Sequence, residues 1–178
     1  MSRFAVSIVG LDRPGIVAAV TAVFAERGCN LQDCSMTVLN GHLAMTLVVE
    51  APFDLHAEAL QGALAGTAEA MQLTAIVQTV ADDAPGAPRG ERYSMAVYGS
   101  DHPGIVHAIA QVLASESINI DDLSTRVVGG AERPVYVMAL ELTIPSACDP
   151  EALAARLDVL ASELDVSCNL HRAETDVL

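Results

Sequence analysis

Aromatic side chains are scarce in this chain: they make up 3% of its 178 residues, and there is no tryptophan. Proteins that hold single-stranded nucleic acid stack bases on aromatic faces, and here there are few such faces. Positive charge is scarce too. Nine Lys plus Arg stand against 23 Asp plus Glu, a formal net charge of −14. Phosphate backbones are gripped by clustered basic side chains. Nine spread along the chain do not make such a cluster, so direct nucleic-acid contact is not expected. An acidic surface also repels anionic lipid. There is no uninterrupted apolar run of the about 18 residues that a membrane crossing needs, and Met1 to Gly10 lack the charged region, apolar stretch and cleavage site of a signal peptide. A cytoplasmic protein with no membrane partner is expected. The four cysteines, Cys29, Cys34, Cys148 and Cys168, form no CxxC pair. They are expected to be reduced, mostly buried thiols. Apolar residues are plentiful, at 52%, so the core must be built from Val, Leu, Ile, Ala and Met.

The chain repeats itself. Gly10-Leu-Asp-Arg-Pro-Gly-Ile-Val17 reads almost the same as Gly99-Ser-Asp-His-Pro-Gly-Ile-Val106, an offset of 89. The same offset carries Asn30 onto Asn119, Asp33 onto Asp122 and Ser35 onto Ser124. Duplication of one structural unit accounts for this. Between the copies, residues 82–91 are rich in Pro and Gly and have no periodicity, as a linker would. The expected organisation is a first domain at 1–81, a linker at 82–91 and a second domain at 92–178.

In the first copy Arg3 to Gly10 reads as a strand. Asp12 and Pro14 suit the start of a helix, Asp12 as its cap and Pro14 in its first turn. Ile16, Val17, Val20, Val23 and Phe24 mark the buried stripe, and Gly28 the stop. Asn30 to Leu39 and His42 to Val49 are strands joined by the Asn40-Gly41 hairpin signal. Asp54 caps a second helix to about Ala65, and Leu73 to Val80 is a fourth strand. The second copy gives the same order: strand Tyr93 to Gly99, helix Pro103 to Glu116, strands Asn119 to Val128 and Val135 to Ile144 around Gly129-Gly130, helix Pro150 to Leu160, strand Leu164 to His171. The fold class is α+β: two tandem ferredoxin-like βαββαβ units, each an antiparallel sheet with its helices on one face.

Chemistry is concentrated in the loop before the first helix. Gly15 and Gly104 admit close approach to the backbone. The first-turn amides have no helical partner, and the dipole adds positive potential, which suits a carboxylate. Asn30 and Asn119 begin a neighbouring strand and are expected near the loop, where a carboxamide can both donate and accept. Two bland readings stand beside this one: D-x-P-G as a plain helix start, and Asn30 as a turn residue after Gly28.

The strand ending in G-x-D-x-P-G-I-V, its helix, and the following Asn30-Leu31-x-Asp33 and Asn119-Ile120-x-Asp122 resemble the ACT domain family, regulatory modules that bind amino acids. Two copies in tandem look like the glycine cleavage system transcriptional repressor group. By that resemblance the ligand sits between paired domains, touching the loop and the start of the second strand. It implies a site at Asp12, Pro14, Gly15, Ile16, Asn30 and Leu31, and another at Asp101, His102, Pro103, Gly104, Ile105, Asn119 and Ile120. Arg13 and His102 hold the one variable loop position, which would give the sites different preferences. The resemblance further implies a non-catalytic sensor of a small amino acid such as glycine or serine, a homo-oligomer, acting on a regulatory protein partner without cofactor or metal. The acidic surface would suit a basic partner.

Other functions find less support. The five histidines form no HExxH, and neither GxSxG nor a P-loop is present. Ser100, Asp101 and His102 are adjacent in sequence, an arrangement that rarely converges as nucleophile, base and orienter. Metal-binding βαββαβ modules carry paired cysteines on the first loop, and this loop has none. A purely structural interaction module with no small-molecule ligand is the remaining alternative.

Overall fold

In a computed structural model the chain divides into two compact units, Met1–Ala84 and Pro85–Leu178. The structure describes residues 1–81, 89–129 and 134–173.

The first unit runs β1 (Ser2–Leu11), α1 (Ile16–Glu26), β2 (Asn30–Leu39), β3 (His42–Ala51), α2 (Ala57–Met71) and β4 (Leu73–Thr79). The second repeats it as β5 (Glu91–Gly99), α3 (Ile105–Ser115), β6 (Asn119–Val128), β7 (Val135–Ile144), α4 (Pro150–Glu163) and β8 (Val166–Arg172). Each forms an antiparallel four-stranded sheet, ordered β2-β3-β1-β4 and β6-β7-β5-β8. The duplicated ferredoxin-like reading holds.

Alternation in the strands decides which face is covered. Phe4, Val6 and Ile8 of β1 and Leu43, Met45, Leu47 and Val49 of β3 point one way. They pack with Ile16, Val20 and Phe24 of α1 and Leu60 and Leu64 of α2. In the second unit Met95, Val97, Met138, Leu140 and Leu142 pack with Ile105, Ile109, Leu113, Leu153 and Leu157. Both helices of each unit therefore lie on one face. The helix layer stops short of one edge. Every residue of β2 is exposed, and all but Ile120 of β6. On the helix side of that uncovered edge stand Leu31, Met36 and Val38, each more than 40% exposed. The opposite edge, β4, is partly closed: the Gln61 carboxamide donates to Ala75 O and accepts from Val77 N–H, both at 2.8 Å.

Local signals explain most element ends. Asn40 and Gly41 both have positive φ, 49° and 76°, as a two-residue primed turn requires. Asp149 caps α4 by accepting from Glu151 N–H at 3.0 Å, and Pro150 follows at the first helical position. Other sequence expectations need correction. α1 begins at Ile16, so Pro14 lies ahead of the helix and its cap is Gly15, with no side-chain bond from Asp12. Likewise α3 begins at Ile105, after Pro103. His56, not Asp54, is the cap of α2, and the helix continues past Ala65 to Met71 because Gln72 supplies its left-handed stop. β8 starts at Val166, since Leu164 closes α4 and Asp165 takes a positive φ. Glu91, expected in the linker, opens β5 opposite Ile144. Positions 82–88 of that linker, and Gly130 of the second hairpin, lie outside the described residues. The thiols are all free but not mostly buried: Cys34 is exposed because β2 extends past the helices, and the other three are half-buried.

Candidate functional site

Two helix starts carry the chemistry. Gly15 and Gly104 are left-handed, with φ of 94° and 103°. That conformation costs an L-residue about 1–2 kcal/mol, which explains why glycine stands there in both copies. Space is not the reason: a Cβ on Gly104 would meet nothing within 4 Å, and one on Gly15 only Met71 Cε at 4.0 Å. The first bonds of the two helices run from Ala19 N–H to Gly15 O and from Ala108 N–H to Gly104 O, both 2.9 Å. Among the described residues no side-chain cap bond is made at either start. The preceding amides, at 16–18 and 105–107, have no partner within their helix and lie at the positive end of the dipole. Asp12, Pro14 and Gly15 are exposed, as are Asp101, Pro103 and Gly104. Ile16 and Ile105 are about 1–2% exposed; their side chains belong to the core, and only their amides face the loop.

The carboxamides are not beside these loops. Asn30 pairs with Glu50, which pairs with Arg3 at the beginning of β1, whereas the loop follows Leu11 at its end. Asn119 stands level with Thr143 and Arg92, again at the far end from Gly99. At about 3.3 Å per residue the separation along the sheet is roughly 25 Å. The expectation that each Asn lies near its own loop is overturned. In this fold β2 runs parallel to β1 with β3 between them, so the two strands start at the same end and the loop closes the other. Loop and carboxamide are therefore not brought together within one unit. Leu31 and Ile120 flank a bulge shared by both repeats, with Gln32 and Asp121 as the extra residues. Asn119 is also engaged: its Nδ2 donates to Asp121 Oδ1 at 2.6 Å, while Asp121 Oδ2 accepts from Thr143 at 2.6 Å.

The variable loop position does something the sequence reading missed. The Arg13 guanidinium donates through Nη2 to Met71 O, the last carbonyl of α2. His102, at the equivalent place, sets Nε2 2.7 Å from Leu164 O at the end of α4, and Nδ1 3.1 Å from Pro103 O. Its pKa is raised, chiefly by the Leu164 carbonyl, then by Pro103, with smaller help from Asp165 and Asp101. Ser100 Oγ donates to Asp165 Oδ2 at 2.6 Å. Neither α2 nor α4 has a basic residue in its last turn, which was the available sequence signal: the complementary cation is supplied from the loop.

A cleft of about 610 Å³ lies at the Asn119 end of the second unit, lined in part by Arg92, Tyr93, Ser94, Asp121, Glu141 and Arg172. None of these was singled out from the sequence, because they gather from four strands. Among the described residues no group of three or more His, Cys, Asp or Glu could hold a metal ion, and no helix is long and apolar enough to cross a membrane.

A duplicated βαββαβ frame with two glycine helix starts defines a tandem ferredoxin-like protein. Residues 2–78 match the ACT domain family. A UPF0237 protein of Methanopyrus kandleri is 38% identical over 79 residues, covering 44% of this chain and 88% of that protein. Phosphoserine phosphatase SerB2 of Mycobacterium tuberculosis is 26% identical over 89% of this chain, but the chain spans only 38% of the phosphatase. A protein of unknown function from Galdieria sulphuraria has the same fold over 97% of this chain and 99% of its own, with TM-score 0.82 and 24% identity. So does a candidate glycine cleavage system transcriptional repressor, over 98% of each chain, with TM-score 0.65 and 20% identity. The chain belongs to the ACT domain family, with the unit present in tandem.

Proposed function

We propose that the chain is a non-catalytic regulator that senses a small amino acid, glycine or serine being the first to try, and passes the signal to a protein partner, a transcriptional regulator. The observation that carries the reading is the pair of glycine-started, uncapped helices, each offering free amides to a carboxylate. Since each unit holds its loop and its carboxamide at opposite ends, a complete seat would take its loop and its Asn from different copies of the chain. The bare β2 and β6 edges, with their exposed apolar side chains, are suited to such pairing and to homo-oligomers. The similarity in fold to a candidate transcriptional repressor is what suggests a role in transcription. Support for a non-catalytic role comes from Ser100 and His102, which are tied to Asp165 and to backbone carbonyls rather than to each other.

Calorimetry and thermal shift with a panel of amino acids test this. A ligand at 100 times its Kd raises stability by about 2.7 kcal/mol. Asn30→Ala or Asn119→Ala should weaken the shift. Binding that survives both substitutions unchanged sinks the site, and no binding across the panel favours the interaction-module reading, in which the bare strand edges alone are the working surface.

A further inference from the structure

The geometry points to Arg13 and His102 as positioning residues, which dock each glycine loop onto the end of the second helix, the first dock insensitive to pH and the second loosened as pH rises. Both side chains leave the same loop position and reach the same structural target. Arg13 meets Met71 O and His102 meets Leu164 O, each at the C-terminal end of a helix with no basic residue in its last turn. A helix C-terminus favours a positive group there. Arg keeps its charge at any working pH, whereas His loses it within the physiological range.

The ring geometry makes the charge state matter. Both nitrogens of His102 face carbonyl oxygens, at 2.7 and 3.1 Å. Only the imidazolium donates from both; a neutral ring turns one lone pair against an oxygen. The charged groups facing the ring are Asp101 on its own loop and Asp165 on the turn after α4. Both favour the charged form. Tyr136 on β7 stands near Asp101, but its hydroxyl donates to Met138 Sδ. The folded-state pKa is thus raised above the unfolded one. The dock is complete below the ordinary histidine value of about 6.5 and is weakened as pH climbs through the raised value, when a neutral ring can donate to Leu164 O only by setting a lone pair against Pro103 O. The helix-start amides of the second unit then lose their fixed aim, while those of the first do not.

This inference rests on the docking contacts alone and is tested with no amino acid present, so its failure and that of the sensing reading are separable. Amide hydrogen exchange, corrected for intrinsic rates, is followed at Ser100, whose N–H donates to Asp165 O, and at Ala108, with Asp12 and Ala19 as the first-unit reporters. Between about pH 5.5 and about pH 8.5, protection at Ser100 and Ala108 should fall about fivefold or more, and at Asp12 and Ala19 it should hold. His102→Arg should abolish the fall, and Arg13→His should bring one to Asp12 and Ala19. Ring-nitrogen NMR of the wild-type protein should find both nitrogens of His102 still protonated above the ordinary histidine value of about 6.5. Equal protection at both pH values, a fall that persists in His102→Arg, or a His102 that titrates at or below the ordinary histidine value of about 6.5 overturns the proposal, whether or not Arg13→His folds.

Discussion

The two units share a frame and differ in how the frame is fastened. In the first, the loop is held by a guanidinium, the β4 edge is closed by Gln61, and α2 starts at His56 with no side-chain cap. In the second, the loop is held by an imidazole, Ala154 stands where Gln61 would fall, and α4 starts with Asp149 and Pro150. Duplication preserved the core alternation, the bulge and the positive-φ glycines, which the backbone dictates. The polar contacts diverged, because several arrangements satisfy the same helix end or strand edge. Equivalent positions in a repeat are therefore a guide to backbone, and a poor guide to which polar group is occupied.

The largest difference expected between the units concerns the glycines that end β1 and β5. A Cβ on Gly99 would lie 2.6 Å from Asp165 O and 2.7 Å from Val166 Cα, both backbone atoms, and φ is 157°. On Gly10 the closest atom is Leu73 Cδ2 at 2.5 Å, the end of a flexible side chain. Gly99→Ala should cost about 3 kcal/mol or more, and Gly10→Ala distinctly less. Exchange of core amides in each unit, read separately, checks this; equal losses would mean that Leu73 cannot move aside. Next come the helix starts. Gly15→Ala and Gly104→Ala should each cost about 1–2 kcal/mol and by similar amounts, since neither site is crowded. A marked inequality would show that the Met71 contact or the loop cation matters to one of them.

The core was legible because alternation in strands and the helical stripe both follow from burial, so Ile16, Val20 and Phe24 were placed correctly from spacing alone, whereas Val17 of the same stripe is 45% exposed. The Asn40-Gly41 turn was legible because few residue pairs accept two positive φ values. Helix starts were less so. Asp12 and Asp54 have the right chemistry for caps, yet Gly15 and His56 close the helices, and only Asp149 does what its type suggests. Side-chain reach was signalled only by the missing last-turn cations of α2 and α4: nothing local tells that Arg13 and His102 cross to another helix 58 and 62 residues away in sequence. The misplacement of Asn30 came from topology. Its strand follows α1 directly, but strand order puts β3 between it and β1 and returns it to the opposite end.

Caps give a smaller contrast. Asp149→Ala should remove about 1 kcal/mol from the second unit, whereas Asp12→Ala and Asp54→Ala should be near neutral, because neither carboxylate caps its helix. His56→Ser should stabilise the first unit by about 0.5–1 kcal/mol. Thermal and denaturant melts of the three Ala variants rank them directly. A loss at Asp12 as large as that at Asp149 would show that it does more than precede the glycine.

The smallest effect bears on the carboxamides. Asn30 is exposed, with the bulge residue beside it Gln32. Asn119 already donates to Asp121, the bulge residue at the equivalent place, and Asp121 also serves the buried hydroxyl of Thr143. A ligand using Asn119 must displace or share that bond, and a typical bond of this kind is worth about 1 kcal/mol net. Asp121→Gln gives the second unit the first unit's residue. It should free the Asn119 amide and, on the sensing reading, tighten the second site by up to about fivefold, with Asn30-dependent binding unchanged. Calorimetry resolves such a change when the Asn30→Ala background isolates the second site. Tightening there would make the bulge residue the element that sets the two sites apart; unchanged affinity would return that role to the loop position occupied by Arg13 and His102.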